Sequence, residues 1–330
     1  MRAMVIHQHG EPNAFYQDEV PLPSPGPGEI RVRVKASSVN PLDCKIRSGA
    51  LPLGPSLPAV LHVDFSGIVG AVGDEVKGFD EGDRVFGFAG GVLGYPGALA
   101  EYVCVPATAV ALIPQGMDFA QAAVLPVAGA TAWEALIERA HLTPGMRILI
   151  HAGMGGVGHM AIQIARTQGV EVHATVSNPA KAELCQQLGA HVCINYRQMD
   201  VSSYVRHYTG GQGYDVVLDT VGGPNFHRSL LATRAGGRII SIALRGHHDL
   251  TPMHGKGLGL EAVFCMRAFM EDTGFELLGQ RLSSLAKIID QGSFQPWLHE
   301  QRFAFTEVGA AHACLEAGQA VGKIALLNDL

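Results

Sequence analysis

The chain has no block of basic residues, no acidic tail, no low-complexity segment and no internal repeat. Its formal net charge is -6 at pH 7 over 330 residues. A nucleic-acid-binding protein needs a basic face to meet the phosphate backbone, so nucleic acid is not expected as a partner. No run approaches the ~18 uncharged apolar residues of a membrane-spanning helix. The amino terminus, Met1-Arg2-Ala3-Met4-Val5-Ile6-His7-Gln8, lacks the apolar core and small-residue cleavage site of a signal peptide and reads as a first strand. Of the six cysteines (Cys44, Cys104, Cys185, Cys193, Cys265 and Cys314), none forms a C-x-x-C pair or another compact metal-ligand spacing. These absences point to a reducing, cytoplasmic setting with free thiols and no membrane partner. Charged residues are sparse, at 16% against 47% hydrophobic, which is the composition of a well-buried globular protein.

What is present is glycine, and its placement matters more than its abundance. Gly153-Met154-Gly155-Gly156-Val157-Gly158 follows the apolar run Ile148-Leu149-Ile150 and precedes a helix-compatible stretch. Strand, glycine turn and helix in that order make a dinucleotide-binding fingerprint. In this reading Gly153 permits the tight turn, Gly155 lets the backbone approach a pyrophosphate, and Gly158 lets helix and strand pack closely. Free N–H groups at the helix start, including those of Gly156 and Val157, then receive the phosphates.

A length of 330 residues favours two domains. The first part reads as β-rich: residues 29–36 alternate apolar and charged side chains, and prolines crowd 21–27. The middle alternates strand-like runs at 148–152, 170–176, 192–194, 216–219 and 238–242 with helical stretches at 157–168, 179–188, 200–209 and 225–234. That alternation predicts βαβ units and a parallel sheet. The tail, with helices near 276–291 and 306–318 and a closing strand at 322–327, does not extend it. The expected architecture is therefore α/β: a β-rich domain built from residues 1–122 and 268–330, with a doubly wound parallel-sheet domain, 123–267, inserted between its two pieces.

The order of motifs resembles the medium-chain dehydrogenase/reductase superfamily, and within it the zinc-independent quinone oxidoreductase branch. The matching residues are Ser38-Val39-Asn40-Pro41-Leu42-Asp43-Cys44-Lys45-Ile46-Arg47-Ser48-Gly49, Asp64-Phe65-Ser66-Gly67-Ile68-Val69, Gly82-Asp83-Arg84-Val85, Ala100-Glu101-Tyr102, Gly129-Ala130-Thr131-Ala132-Trp133, the glycine loop and Gly322-Lys323-Ile324. No single one is decisive; their order and spacing carry the match. The resemblance implies a GroES-like catalytic domain, a Rossmann domain, NADPH-dependent reduction and a homodimer formed through the cofactor domains.

The residues give their own indication of the cofactor. An NAD-binding unit places Asp or Glu at the end of its second strand to bind the ribose 2′-hydroxyl. Here that strand ends at Ser177 and Glu171 lies at its start. The chain continues Asn178-Pro179-Ala180-Lys181, in which Ser177 or Asn178 can cap a helix and Pro179 suits its first position. Lys181 would sit in the first turn, opposing the helix dipole unless a phosphate is bound there. The resemblance implies that Ser177, Lys181 and Tyr196 hold the 2′-phosphate of NADPH. It also implies nicotinamide contacts from Thr131, Ser241, Ala243, Leu244 and Phe264, with Lys323 as a further cofactor contact.

At the positions that resemble the zinc ligands of the alcohol dehydrogenase branch stand Asn40, Val63 and Val127. Valine has no donor atom, so no metal is expected; the neighbouring His62 is read as a packing or hydrogen-bonding residue. Without a Lewis acid, quinones and α,β-unsaturated carbonyls are easier hydride acceptors than simple carbonyls. Asn40, Asp43 and Lys45 are the candidate catalytic groups, with Asp43 also able to pair with Lys45 or Arg47. Two rival functions are an enoyl-thioester reductase of the same fold and a non-enzymatic NADPH-binding protein.

Overall fold

The computed structural model describes all 330 residues and divides into two compact units, Met1–Ala130 with Cys265–Leu330, and Thr131–Phe264. No helix is long and apolar enough to cross a membrane.

The discontinuous unit is β-rich. Its central strand, Glu29–Ser38, buries the apolar members of its alternation, Ile30, Val32, Val34 and Ala36, as a half-buried strand should. It pairs antiparallel with Asp64–Val72 on one edge, and with Tyr102–Pro106 and Ala325–Leu327 on the other. Strands Arg84–Phe88, Val110–Leu112 and Phe303–Ala304 complete a seven-stranded sheet. Phe65, Val69, Val85, Phe303, Phe305 and Leu326 form its core. Arg2–Ile6, Phe15–Glu19 and Ala59–Val60 make a second, three-stranded sheet.

The contiguous unit is a six-stranded, wholly parallel sheet in the order Val192–Asn195, Glu171–Val176, Arg147–Ile150, Tyr214–Asp219, Thr233–Ser241 and Gly259–Ala262. Helices Gly156–Thr167, Pro179–Gln187, Val201–Thr209 and Asn225–Ala232 connect successive strands. Leu149, Ile194, Val217, Phe226 and Ile239 fill the core. The expected pairing of a β-rich domain with an inserted doubly wound domain is the one the chain adopts.

Three readings change in detail. Gly259–Ala262 adds a sixth strand that the composition of Gly-Leu-Glu-Ala does not announce. The helix expected over 225–234 ends at Ala232, where Thr233 turns to an extended ψ of 135. The closing strand is only Ala325–Leu327; Lys323 precedes it and meets Leu298 in an isolated bridge.

Candidate active site

In the parallel-sheet unit the strand order reverses beside Arg147–Ile150, whose neighbours are Glu171–Val176 and Tyr214–Asp219. Ligands of such sheets bind beyond the carboxyl ends of the strands at that switch point, and the glycine loop lies there. The left-handed residue of the turn is Ala152, with φ 51, and not Gly153. Gly153 is required for packing: a Cβ on it would stand 2.8 Å from both Ala174 Cβ and Cys185 Sγ. Gly158 has the predicted packing role, since a Cβ there would lie 2.2 Å from Ala152 O. Gly155 is the N-cap of Gly156–Thr167, so the N–H groups of Gly156 and Val157 open the helix with no partner one turn earlier.

The second strand ends as its residues suggest. Asn178 caps Pro179–Gln187 by accepting from Lys181 N at 2.9 Å, and Pro179 is the first helical residue. Lys181 stands in the first turn. Glu171, at the far end of the strand, is held by Arg147 Nε at 2.7 Å and lies 2.8 Å from His173 Nε2. Tyr196 N donates to Val176 O at 3.1 Å, which brings the exposed Tyr196 beside Ser177 at the strand end. On the other side of the switch point, Asp219 Oδ1 accepts from Val221 N, Gly222 N and Asn225 Nδ2, each at 3.0 Å. That bond set shapes the loop after the fourth strand. Gly222 packs so tightly that a Cβ would fall 2.1 Å from Ala243 O. Ser241 ends the fifth strand, and its carbonyl accepts from Val263 N at 2.9 Å. Ala243, Leu244 and the exposed Phe264 follow the strand ends, while Thr131 is buried in helix Pro126–Trp133.

In the β-rich unit, Asn40 is the N-cap residue of the short helix Pro41–Arg47. Its backbone N–H donates to Asp43 Oδ2 at 2.8 Å. Its side chain is committed elsewhere: Nδ2 donates to Asp64 Oδ2 at 2.8 Å, and Oδ1 accepts from Lys323 Nζ at 2.5 Å. Lys323 Nζ also donates to Val39 O at 3.1 Å and to Asp64 Oδ2 at 3.2 Å. Ser38 Oγ donates to the same Asp64 oxygen, and Val127 N donates to Asp64 Oδ1 at 2.8 Å. Asp64 is thus the hub of a buried polar cluster that spacing alone does not reveal. Its one sequence signal is a carboxylate opening a largely apolar strand. Of the positions that resemble zinc ligands, 40 and 127 do meet here, around the Asp64 carboxylate and the Lys323 ammonium.

This cluster changes the reading of several candidates. The three N–H donors of Lys323 all have partners within its own unit, as its burial requires. Asp43 is buried, and desolvation, followed by repulsion from Asp64, pushes its carboxyl up to about 7 against the pull of the Asn40 N–H and Lys323. Lys45 lies on the exposed face of the helix. Arg47 does not pair with Asp43: it is buried and makes a two-pronged bond to Glu316, at 2.8 and 3.2 Å. Burial pushes the Cys44 thiol up to about 12, which leaves it inert.

His62 lies in the link between Ala59–Val60 and Asp64–Val72, with a left-handed φ of 79. It is wholly buried, with Nδ1 at 3.2 Å from Ser37 Oγ and Nε2 at 2.8 Å from His312 Nε2. Phe15 packs edge-on against both rings. No group of three or more His, Cys, Asp or Glu side chains is arranged to hold a metal ion.

Comparison with known proteins agrees with this architecture. Residues 26–115 match the alcohol dehydrogenase GroES-like domain, and residues 156–272 match the zinc-binding dehydrogenase family. The chain is 30% identical to the quinone oxidoreductase of Pongo abelii over 332 residues, covering 99% of this chain and 98% of that one. Among solved structures, an alcohol dehydrogenase superfamily protein from Novosphingobium aromaticivorans superposes with a TM-score of 0.94 at 36% identity, covering 99% of each chain. The Escherichia coli quinone oxidoreductase, solved in complex with NADPH, superposes with a TM-score of 0.89 at 30% identity, covering 99% of this chain and all of that one. A GroES-like β-rich domain carrying an inserted Rossmann-like domain, and relatives of this kind along nearly the whole length, lead to one conclusion: the chain belongs to the medium-chain dehydrogenase/reductase superfamily, as a quinone oxidoreductase-like oxidoreductase.

Proposed function

We propose that this protein is a zinc-independent, NADPH-dependent reductase of quinones or α,β-unsaturated carbonyls. The observation that carries the cofactor assignment is the end of the second Rossmann strand. It presents Ser177, the capped helix start at Asn178 and Lys181, with Tyr196 alongside, while the only strand carboxylate, Glu171, is occupied at the opposite end. A cation in the first turn of a helix is unfavourable alone and favourable beside a bound phosphate. The NADPH complex of the Escherichia coli relative supports the same reading.

The glycine loop fits a pyrophosphate, because side chains are excluded at Gly153 and Gly158 and the helix presents unpaired N–H groups at Gly156 and Val157. Thr131, Ser241, Ala243, Leu244 and Phe264 would line the nicotinamide half. When bound, NADPH supplies the hydride. The chain's own tasks are positioning and polarisation of the acceptor oxygen. Lys45, exposed on Pro41–Arg47, is the proposed hydrogen-bond donor to that oxygen. Asn40 and Lys323 are proposed to fix the helix and the Asp64 carboxylate from beneath, acting through the cluster and not on substrate. Zinc independence rests on the donor set: Val63 and Val127 have no ligand atom, and the Asn40 amide is taken on both sides. A second copy would add along the unpaired outer edge of Gly259–Ala262, the last strand of the sheet.

The deciding experiment follows NADPH consumption with ubiquinone analogues, 2-alkenals and crotonyl-CoA, and repeats the best pair with NADH. Turnover of quinones or alkenals with a far lower KM for NADPH is expected. Preference for the thioester would make the protein an enoyl-thioester reductase. Tight NADPH binding with no turnover of any acceptor would make it a binding protein.

A further inference from the structure

Two of the six cysteines meet beneath the proposed 2′-phosphate site. Cys193 lies on Val192–Asn195 and pairs across the sheet with Ala174 of Glu171–Val176. Paired residues of parallel strands point to the same face. Cys185 sits on Pro179–Gln187, the helix that packs on those two strands, and its sulfur abuts the place of Gly153, 2.8 Å from where a Cβ would stand. A Cβ there would stand equally close to Ala174. The two thiols are neighbours between helix and strand, close enough to interact directly. Cys185 is buried, and Cys193 is partly open to solvent.

We propose that Cys185 and Cys193 form a peroxide-sensitive dithiol whose oxidation to a disulfide weakens dinucleotide binding. Their mutual contact holds Cys193 below the usual thiol range and Cys185 well above it. Cys193, the thiol that solvent reaches, is the nucleophile, and the buried Cys185 is the resolving thiol. The Cys193 thiolate attacks one oxygen of hydrogen peroxide, the O–O bond breaks, and a sulfenic acid and water form after protonation. The Cys185 sulfur then displaces the second water and gives up its proton. Two thiols and one peroxide thus become one disulfide and two waters; sulfur is oxidised and peroxide reduced.

The coupling to the cofactor follows from what Cys185 touches. A disulfide needs the sulfurs about 2.05 Å apart, closer than any non-bonded pair. Cys185 must move toward the strand and away from Gly153, and it carries with it the helix whose first turn holds Asn178 and Lys181. This second half of the proposal rests on the dinucleotide site proposed above.

The test uses the intact protein. After treatment with hydrogen peroxide, the expected product is a chain lighter by two hydrogens, with Cys185 and Cys193 cross-linked in the peptide map, reversed by dithiothreitol and absent in Cys193→Ser. NADPH affinity, read from nucleotide fluorescence, should fall roughly tenfold on oxidation and recover on reduction. Absence of the cross-link in protein that binds NADPH overturns this inference alone, as does sulfinic acid at Cys193 with no cross-link. A cross-linked protein of unchanged affinity overturns the coupling. Reduced protein that fails to bind NADPH overturns both the coupling and the cofactor assignment.

Discussion

Lys323 Nζ lies 3.2 Å from Asp64 Oδ2, and both side chains are buried, 4% and 0% exposed. The pair is completed by Ser38, Asn40 and the Val127 N–H, so nearly every polar atom in it is satisfied. Removing one member of such a pair leaves an uncompensated buried charge, at a cost of about 3–5 kcal/mol. Lys323→Met is accordingly expected to lower the urea midpoint sharply. A second change, Asp64→Leu, should recover part of the loss. A single variant as stable as the parent would show that the pair contributes nothing.

The histidines make stability fall in acid. Burial holds His62 well below its ordinary range, His312 down to about 3 and His151 down to about 4. Unfolding restores a value near 6.5, so below that pH the unfolded chain binds more protons and stability drops with pH, until each folded group also titrates. Asp43 opposes this: its raised folded value favours the native state as pH falls from about 7 toward the ordinary carboxyl range. With His173, also lowered by burial, four histidines stand against one carboxyl, and a net loss is expected between pH 6.5 and pH 5. Denaturant midpoints across that window check it, and Asp43→Asn should steepen the loss.

Cofactor selectivity should reside in the first turn of Pro179–Gln187. Lys181→Ala is expected to raise KM for NADPH roughly tenfold, the weight of one charge-assisted hydrogen bond. NADH kinetics should stay nearly the same. A parallel fall with both nucleotides would remove the 2′-phosphate assignment.

Gly158→Ala tests the phosphate cradle. A Cβ would stand 2.2 Å from Ala152 O and 3.1 Å from Gly153 Cα, and neither is the far end of a flexible side chain. The helix must shift outward, at about 1–3 kcal/mol. Calorimetric titration should show weakened NADPH binding while circular dichroism remains native.

Lys45→Ala addresses the acceptor. Loss of a donor aimed at developing charge commonly costs about a hundredfold in turnover. Lys45 is exposed, and a melting temperature measured alongside separates loss of this donor from loss of folding. Unaltered kcat/KM with enones would discard the role.

The parts of the fold that repeat locally were legible in the residues. Strand runs such as 170–176 and 192–194 and the glycine loop each announce themselves within a dozen positions. So did the Asn178 cap, which needs only the four residues Asn178 to Lys181. The buried clusters were not legible, because their members are far apart in the chain. Nothing near Arg47 indicates Glu316, nothing near His62 indicates His312, and Lys323 gives no sign that its ammonium ends beside Asp64. A buried polar group is legible only through its partner, and separations of 250 residues or more leave no spacing to read. Gly153 shows a related limit: its requirement comes from Ala174 and Cys185, not from its own dihedral angles.

The pairing of Ala325–Leu327 with Glu29–Ser38 has a consequence for biosynthesis. On the ribosome the segment Thr131–Phe264 has all its strands in hand and can close its sheet as soon as it emerges. The earlier segment cannot: its central strand waits for an edge partner, and its core waits for Phe303, Phe305 and Leu326. Apolar surface around Val32 and Phe65 therefore stays open until Leu326 has been made, a long-range closure that is slow and exposed to aggregation. Truncation at the carboxyl terminus should accordingly harm the first-made domain most, while the one made in the middle survives it.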